Sequence, residues 1–171
     1  MKRTRIIVVD DEPDARERLV ELVNQDPTLE VVTECRNGAD AVLAIAKHKP
    51  DLVLLDVQMP MMNGFEVVRR IGASRMPFTI FVTAYDQYAL KAFEVNAVDY
   101  LLKPYDDSRF HAAITKAKKL IAMNTNDKLT GRLMDLVRGH LHEQNEFTET
   151  FTIRDKGRDQ VVHVDDVIFL R

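Results

Sequence analysis

An α/β fold built on a doubly wound parallel sheet is what this sequence predicts, and three observations predict it. Short apolar runs alternate with amphipathic helical patterns five times within about 120 residues. The runs are rich in Val, Ile and Leu and hardly alternate with polar residues, as strands covered on both faces do. Prolines and polar breaks fall between the runs and not inside them.

Taken in order, the strands are expected at residues 6–9, 31–32, 52–55, 79–82 and 98–102. Pro13 suits the first turn of the helix behind the first strand. On that helix Ala15, Leu19, Leu22 and Val23 share one face. Val42, Ile45 and Ala46 form the next apolar stripe, and Phe65, Val68 and Ile71 a third. Phe110, Ile114, Ala117 and Ile121 make the stripe of the helix after the fifth strand. Pro50, Pro77 and Pro104 sit in breaks.

Beyond Ile121 the character changes. Asn124-Thr125-Asn126-Asp127 reads as a polar break with capping residues. Leu129, Leu133, Leu136, Val137 and Leu141 then keep helical spacing, which predicts a separate amphipathic linker helix within 123–147. From Phe147 the pattern turns strand-like, with Phe151 and Ile153 alternating and Asp155-Lys156-Gly157-Arg158 as a turn before Val161 to Val164. A last apolar run, Val167-Ile168-Phe169-Leu170, would be an uncovered edge strand. Residues 148–171 are therefore expected to open a second domain that is cut short; the alternative is a small hairpin packed on the first domain or on a second subunit.

Composition excludes several classes. Hydrophobic residues are 46% and charged ones 30%, a globular balance and not a disordered one. The net charge of -3 argues against a chain built mainly to neutralise phosphates. A single cysteine, Cys35, excludes an internal disulfide framework and fits a reducing compartment. The apolar run after Met1-Lys2-Arg3-Thr4-Arg5 stops at Asp10-Asp11, too short for a signal or membrane span. The expectation is a cytoplasmic protein with no membrane partner.

In an open parallel sheet, the binding crevice lies at the carboxyl ends of the strands. Here the first strand ends in Asp10-Asp11-Glu12, the third in Asp56 and the fourth in Thr83-Ala84, and the fifth runs into Lys103-Pro104. Carboxylates packed together repel unless a cation joins them. An all-oxygen set calls for a hard ion: Mg2+, with Mn2+ as a substitute. One carboxylate can then act as a nucleophile toward phosphorus, giving an acyl phosphate. Lys103 and the backbone N–H groups after Asp56 would meet the equatorial oxygens, and Thr83 would donate its hydroxyl to one. Singly, these residues read as helix caps, strand ends and surface charges. Jointly, at four strand ends, they do not.

In this order, Val8-Val9-Asp10-Asp11-Glu12-Pro13, Leu55-Asp56-Val57-Gln58-Met59-Pro60-Met61-Met62-Asn63-Gly64, Val82-Thr83-Ala84 and Tyr100-Leu101-Leu102-Lys103-Pro104 resemble the receiver domain of two-component response regulators, over residues from about 3 to 122. The resemblance implies a flavodoxin-like sheet of order 2-1-3-4-5 and a receiver domain at 1–122. It implies Asp56 as the phosphoacceptor, charged by a sensor histidine kinase. Asp11, Asp56 and the Gln58 carbonyl would ligate Mg2+ directly, while Asp10 acts largely through water. Thr83 and Lys103 would bind the phosphoryl group, Ala84 follows in the closing loop, and Tyr100 would change rotamer on activation. Tyr88, Lys91 and Glu94 would lie on a face that forms homodimers when phosphorylated. Such a chain is a switch and not an enzyme. A phosphatase using an aspartyl phosphate is the competing reading, but Gln58 stands where such enzymes place a general acid.

A finer likeness joins Thr83-Ala84-Tyr85-Asp86-Gln87-Tyr88-Ala89-Leu90-Lys91-Ala92-Phe93-Glu94 and Ala97-Val98-Asp99-Tyr100-Leu101 to the LytR/AlgR branch, which couples a receiver to a LytTR DNA-binding module. Phe151-Thr152-Ile153-Arg154-Asp155-Lys156-Gly157-Arg158 and Val162-His163-Val164-Asp165-Asp166-Val167-Ile168 resemble that module's first strands, so 148–171 would be its N-terminal fragment. Residues 123–171 hold seven basic residues (Lys128, Arg132, Arg138, Arg154, Lys156, Arg158, Arg171) against nine acidic ones. DNA binding is thus expected only through a complete output domain. A stand-alone interaction module without DNA output is the alternative. His48, His111, His140, His142 and His163 share no metal-ligand spacing, and Met59, Met61 and Met62 are expected to pack loop against helix.

Overall fold

The computed structural model describes residues 2–84, 97–142, 150–155 and 158–163, with side chains as far as Thr125. Contacts divide the chain into two compact units, Met1–Thr125 and Asn126–Arg171.

In the first unit, strands β1 (Thr4–Val9), β2 (Leu29–Cys35), β3 (Leu52–Asp56), β4 (Phe78–Thr83) and β5 (Asp99–Leu102) form one sheet. The order is β2-β1-β3-β4-β5, every pair parallel. Helices α1 (Pro13–Asn24), α2 (Gly38–His48), α3 (Gly64–Ile71) and the part of α4 (Asp107–His142) as far as Thr125 accompany it. This is the doubly wound, flavodoxin-like architecture, and the strand order is the expected one.

Strand pleating sorts the core. Ile6, Val8, Leu52, Leu54, Ile80, Val82 and Leu101 point to one face, where Leu19, Leu22 and Val23 of α1 and Phe110, Ala113, Ile114 and Ala117 of α4 cover them. Ile7, Val9, Val53, Leu55 and Phe81 point to the other, against Ala41 and Ile45 of α2 and Val67 and Val68 of α3. All five residues of β3 are buried, which is why its sequence does not alternate.

Local signals set the helix starts. Pro13 occupies the first turn of α1. Asn37 caps α2 by accepting the Asp40 N–H at 2.8 Å. Asn63 and Glu66 form a reciprocal capping box on α3. Gly64, first in that helix, sits so close to β3 that a Cβ there would lie 2.5 Å from the Asp56 carbonyl oxygen. The glycine lets α3 begin directly behind the strand end that carries Asp56.

Three expectations are corrected. Asn124-Thr125-Asn126-Asp127 is no break, because the helix runs on through it to His142. The stretch holds no Pro or Gly, and the Thr125 hydroxyl donates to the Ile121 carbonyl at 2.9 Å, a bond a helix accommodates. On α2 the buried residues are Gly38, Ala41 and Ile45, while Ala46 is exposed. Met59 and Met62 pack as expected, but Met61 is 94% exposed, carried outward by a positive φ of 66°.

In the second unit, β6 (Thr150–Asp155) and β7 (Arg158–His163) pair antiparallel, with Asp155 opposite Arg158. Residues 164–171 lie outside the described residues.

A polar clasp outside the site ties the α1–β2 connection to α4. Asp26 accepts from the Thr28 hydroxyl at 2.6 Å, the Thr28 N–H at 2.9 Å and Lys118 Nζ at 3.1 Å. The Thr28 hydroxyl above all, with Lys118 adding, outweighs burial and holds the Asp26 carboxyl down to about 2. A depressed carboxyl stabilises the fold above its unfolded pKa, and that stability is lost as pH falls toward about 2. Asp26→Asn should cost about 1–2 kcal/mol at neutral pH. Urea unfolding should show the gap closing as the buffer is acidified from about pH 4 to about pH 2.

Candidate phosphoryl-acceptor site

The chain leaves β1 toward β2 on one side and returns through β3 on the other, so a crevice opens where β1 and β3 end. Asp10 follows the last residue of β1, and Asp56 is the last of β3. One oxygen each from Asp10, Asp11 and Asp56 lies within 4.8 Å of the others. Asp10 is fully buried and Asp56 is 4% exposed.

Asp10 has every polar function engaged. Its N–H donates to the Cys35 carbonyl at 3.1 Å, and its carbonyl accepts from Arg16 Nη1 at 2.9 Å. Its Oδ1 accepts from the Glu12 N–H at 2.9 Å and its Oδ2 from Lys103 Nζ at 2.8 Å. Asp56 Oδ1 accepts from the Gln58 N–H at 3.2 Å, and Oδ2 lies 3.7 Å from Lys103 Nζ. In contrast, Asp11 Oδ1 is buried without a hydrogen-bond partner. An ionised oxygen in that state is costly, and a cation shared with Asp56 would satisfy it. The residues therefore fit a hard divalent ion.

The charges agree. Burial, reinforced by Asp10 and Asp11, pushes the Asp56 carboxyl up to about 7, although Lys103 and the Gln58 N–H oppose the rise. Burial alone would lower Lys103, but its bond to Asp10 and the field of Asp56 raise it instead. The cluster is short of positive charge even with its ammonium in place.

Other predicted residues surround this centre. Thr83 ends β4, fully buried, and its carbonyl accepts the Lys103 N–H at 2.7 Å. Ala84 follows it, exposed. Tyr100 is half-buried on β5 opposite Phe81, packed on the α2–α3 side of the sheet. Tyr88, Lys91 and Glu94, offered as a dimer face, lie outside the described residues.

Sequence reasoning missed Arg16. It is 8% exposed, bonded to the Asp10 carbonyl and, through Nε, to Glu34 Oε2 at 3.2 Å. Its signal was available, since it precedes Leu19 by three and Val23 by seven, a charged residue in the apolar register of α1.

Comparison with known proteins decides the family. The response regulator receiver domain matches residues 6–115. The chain belongs to the receiver family. Members of that family act generally as non-enzymatic switches partnered by histidine kinases. This receiver is 40% identical over 115 residues to the transcriptional regulatory protein BtsR of Escherichia coli, covering 67% of this chain and 48% of BtsR. It is 45% identical over 122 residues to a response regulatory protein of Yersinia pestis, covering 71% and 51%. The chain thus spans about half the length of these relatives. The crystal structure of the response regulatory domain of mrkE from Klebsiella pneumoniae superposes with a TM-score of 0.65 at 31% identity, over 70% of this chain and 98% of that one. The receiver domain of AraT from Geobacillus stearothermophilus gives 0.62 at 29%, over 70% and 97%. Among the described residues no helix is long and apolar enough to cross a membrane.

Proposed function

We propose that this receiver is the phosphorylation switch of a cytoplasmic, transcription-regulating two-component protein, with Asp56 accepting a phosphoryl group from a sensor histidine kinase. The observation that carries the reading is the unpartnered, buried Asp11 Oδ1 beside Asp10, Asp56 and Lys103 at the sheet's switch point. Asp11, Asp56 and the Gln58 carbonyl would hold Mg2+, or Mn2+ in its place, with Asp10 acting through water. The bound ion would supply the positive charge that the carboxylates and the phosphoryl oxygens need.

The chain's residues do the rest. An Asp56 oxygen attacks phosphorus and forms an acyl-phosphate bond. The bond from phosphorus to the donor breaks, to nitrogen in a phosphohistidine or to oxygen in acetyl phosphate, and the donor atom leaves with the electron pair. Lys103, the Thr83 hydroxyl and the N–H groups after Asp56 receive the phosphoryl oxygens. Closure of the Thr83-Ala84 loop would make room for Tyr100 to turn inward and would alter the surface bearing Tyr88, Lys91 and Glu94, favouring a homodimer.

The output is read as DNA binding through a LytTR-type domain that opens at 148–171, behind a receiver at 1–122 and a linker at 123–147. The β6–β7 hairpin and a transcriptional regulator among the relatives support this. Incubation with labelled acetyl phosphate should place at most one phosphoryl group per chain, only with Mg2+ or Mn2+ and not in Asp56→Asn. Stoichiometric labelling of that variant would overturn the assignment, and rapid multiple turnover of small phosphate esters would point to a phosphatase.

A further inference from the structure

Arg16 contributes to the site without reaching a carboxylate of the acidic cluster. Its Nη1 donates to the Asp10 carbonyl at 2.9 Å. That carbonyl belongs to the Asp10–Asp11 peptide plane, so the bond limits rotation of the rigid unit that launches the Asp11 side chain. The preceding amide is pinned as well, because the Asp10 N–H donates to Cys35 of β2. Of the two adjacent aspartates, Asp10 is saturated by four bonds, whereas Asp11 keeps one buried oxygen without a partner.

A guanidinium this close to three carboxylates could instead swing in and replace the ion. Glu34 opposes that. Its carboxylate, on β2, takes Arg16 Nε at 3.2 Å and neutralises the guanidinium's charge. The fork of Arg16 therefore spans two acceptors on different strands, one the backbone of the β1 end and one a side chain of β2.

We infer that Arg16 is a positioning residue for divalent-cation binding: held by Glu34, it fixes the Asp10–Asp11 peptide so that the Asp11 carboxylate faces Asp56. The inference rests on the reading that these carboxylates hold Mg2+.

The test measures Mg2+ affinity by calorimetry on the full chain, alongside urea unfolding in chelator. Arg16→Met should weaken Mg2+ binding about tenfold or more, the scale on which groups that orient ligands act. Arg16→Lys keeps the charge and stem but not the two-pronged reach, and should fall between wild type and Arg16→Met. Val23→Ala, a buried change on the same helix with no part in the site, should lose stability while keeping wild-type affinity. Wild-type affinity in Arg16→Met overturns the inference, as does an equal loss in Val23→Ala. If Arg16→Met does not fold, wild-type affinity in Arg16→Lys overturns it. A wild-type chain that binds no Mg2+ overturns the proposed function as well, which separates the two failures.

Discussion

Lys103→Met should accept phosphoryl groups about a hundred- to a thousandfold more slowly than wild type, the cost of removing one donor aimed at developing charge. The ammonium is 2.8 Å from Asp10 Oδ2 and 3.7 Å from Asp56 Oδ2, on a side chain only 17% exposed. No other described side-chain nitrogen pairs with these two carboxylates. Loss of a cation from a cluster of three carboxylates should leave Mg2+ affinity equal to wild type or higher, because less positive charge remains to repel the ion. The two readouts therefore move in different directions. Single-turnover labelling and calorimetry on the same preparation would show it, and a joint loss of both would mean that Lys103 acts only by holding the site together.

Asp56→Asn should stabilise the metal-free chain while abolishing its chemistry. A carboxyl raised to about 7 when folded, from an ordinary value of 3.8, takes up its proton earlier in the folded state than in the unfolded one. Its favourable contribution is complete below about pH 4 and is lost as pH rises through about 7, so at higher pH the ionised group strains the fold. Replacing it with an amide should recover about 2–4 kcal/mol at about pH 8 in chelator and little at about pH 4. Mg2+ should reverse the ranking by stabilising wild type more than the variant, as any ligand bound only by the folded state does. Thermal midpoints measured with chelator and with saturating Mg2+ would display the crossover.

Much of this site was legible because its residues stand at strand ends, where an apolar run stops at a charge. Asp56 after three aliphatic residues and Lys103 after Leu101-Leu102 are visible in the sequence without any contact information. The sheet order required the family resemblance, since β1 and β3 are neighbours through pairing and not through sequence. Arg16 escaped because the stripe of α1 was traced through its apolar residues alone, Ala15, Leu19, Leu22 and Val23, although Arg16 bonds to Glu34 of β2. The break at 124–127 was misread for the opposite reason. Capping residues start helices only where the preceding backbone departs from helical geometry, and here Thr125 bonds back to Ile121 instead. Asp11 stands beside Asp10 in the sequence, but its unpartnered oxygen is a property of packing that no spacing encodes.

The claim on which the account depends is that carboxylates from two strand ends share one ion. Substoichiometric Mn2+ added to isotope-labelled protein tests it directly, because a paramagnetic ion broadens the amide resonances nearest to it. Broadening should begin at residues 10–12 and 56–58 together and should be relieved by excess Mg2+. Broadening confined to one of these segments, or centred on another acidic surface, would contradict the account.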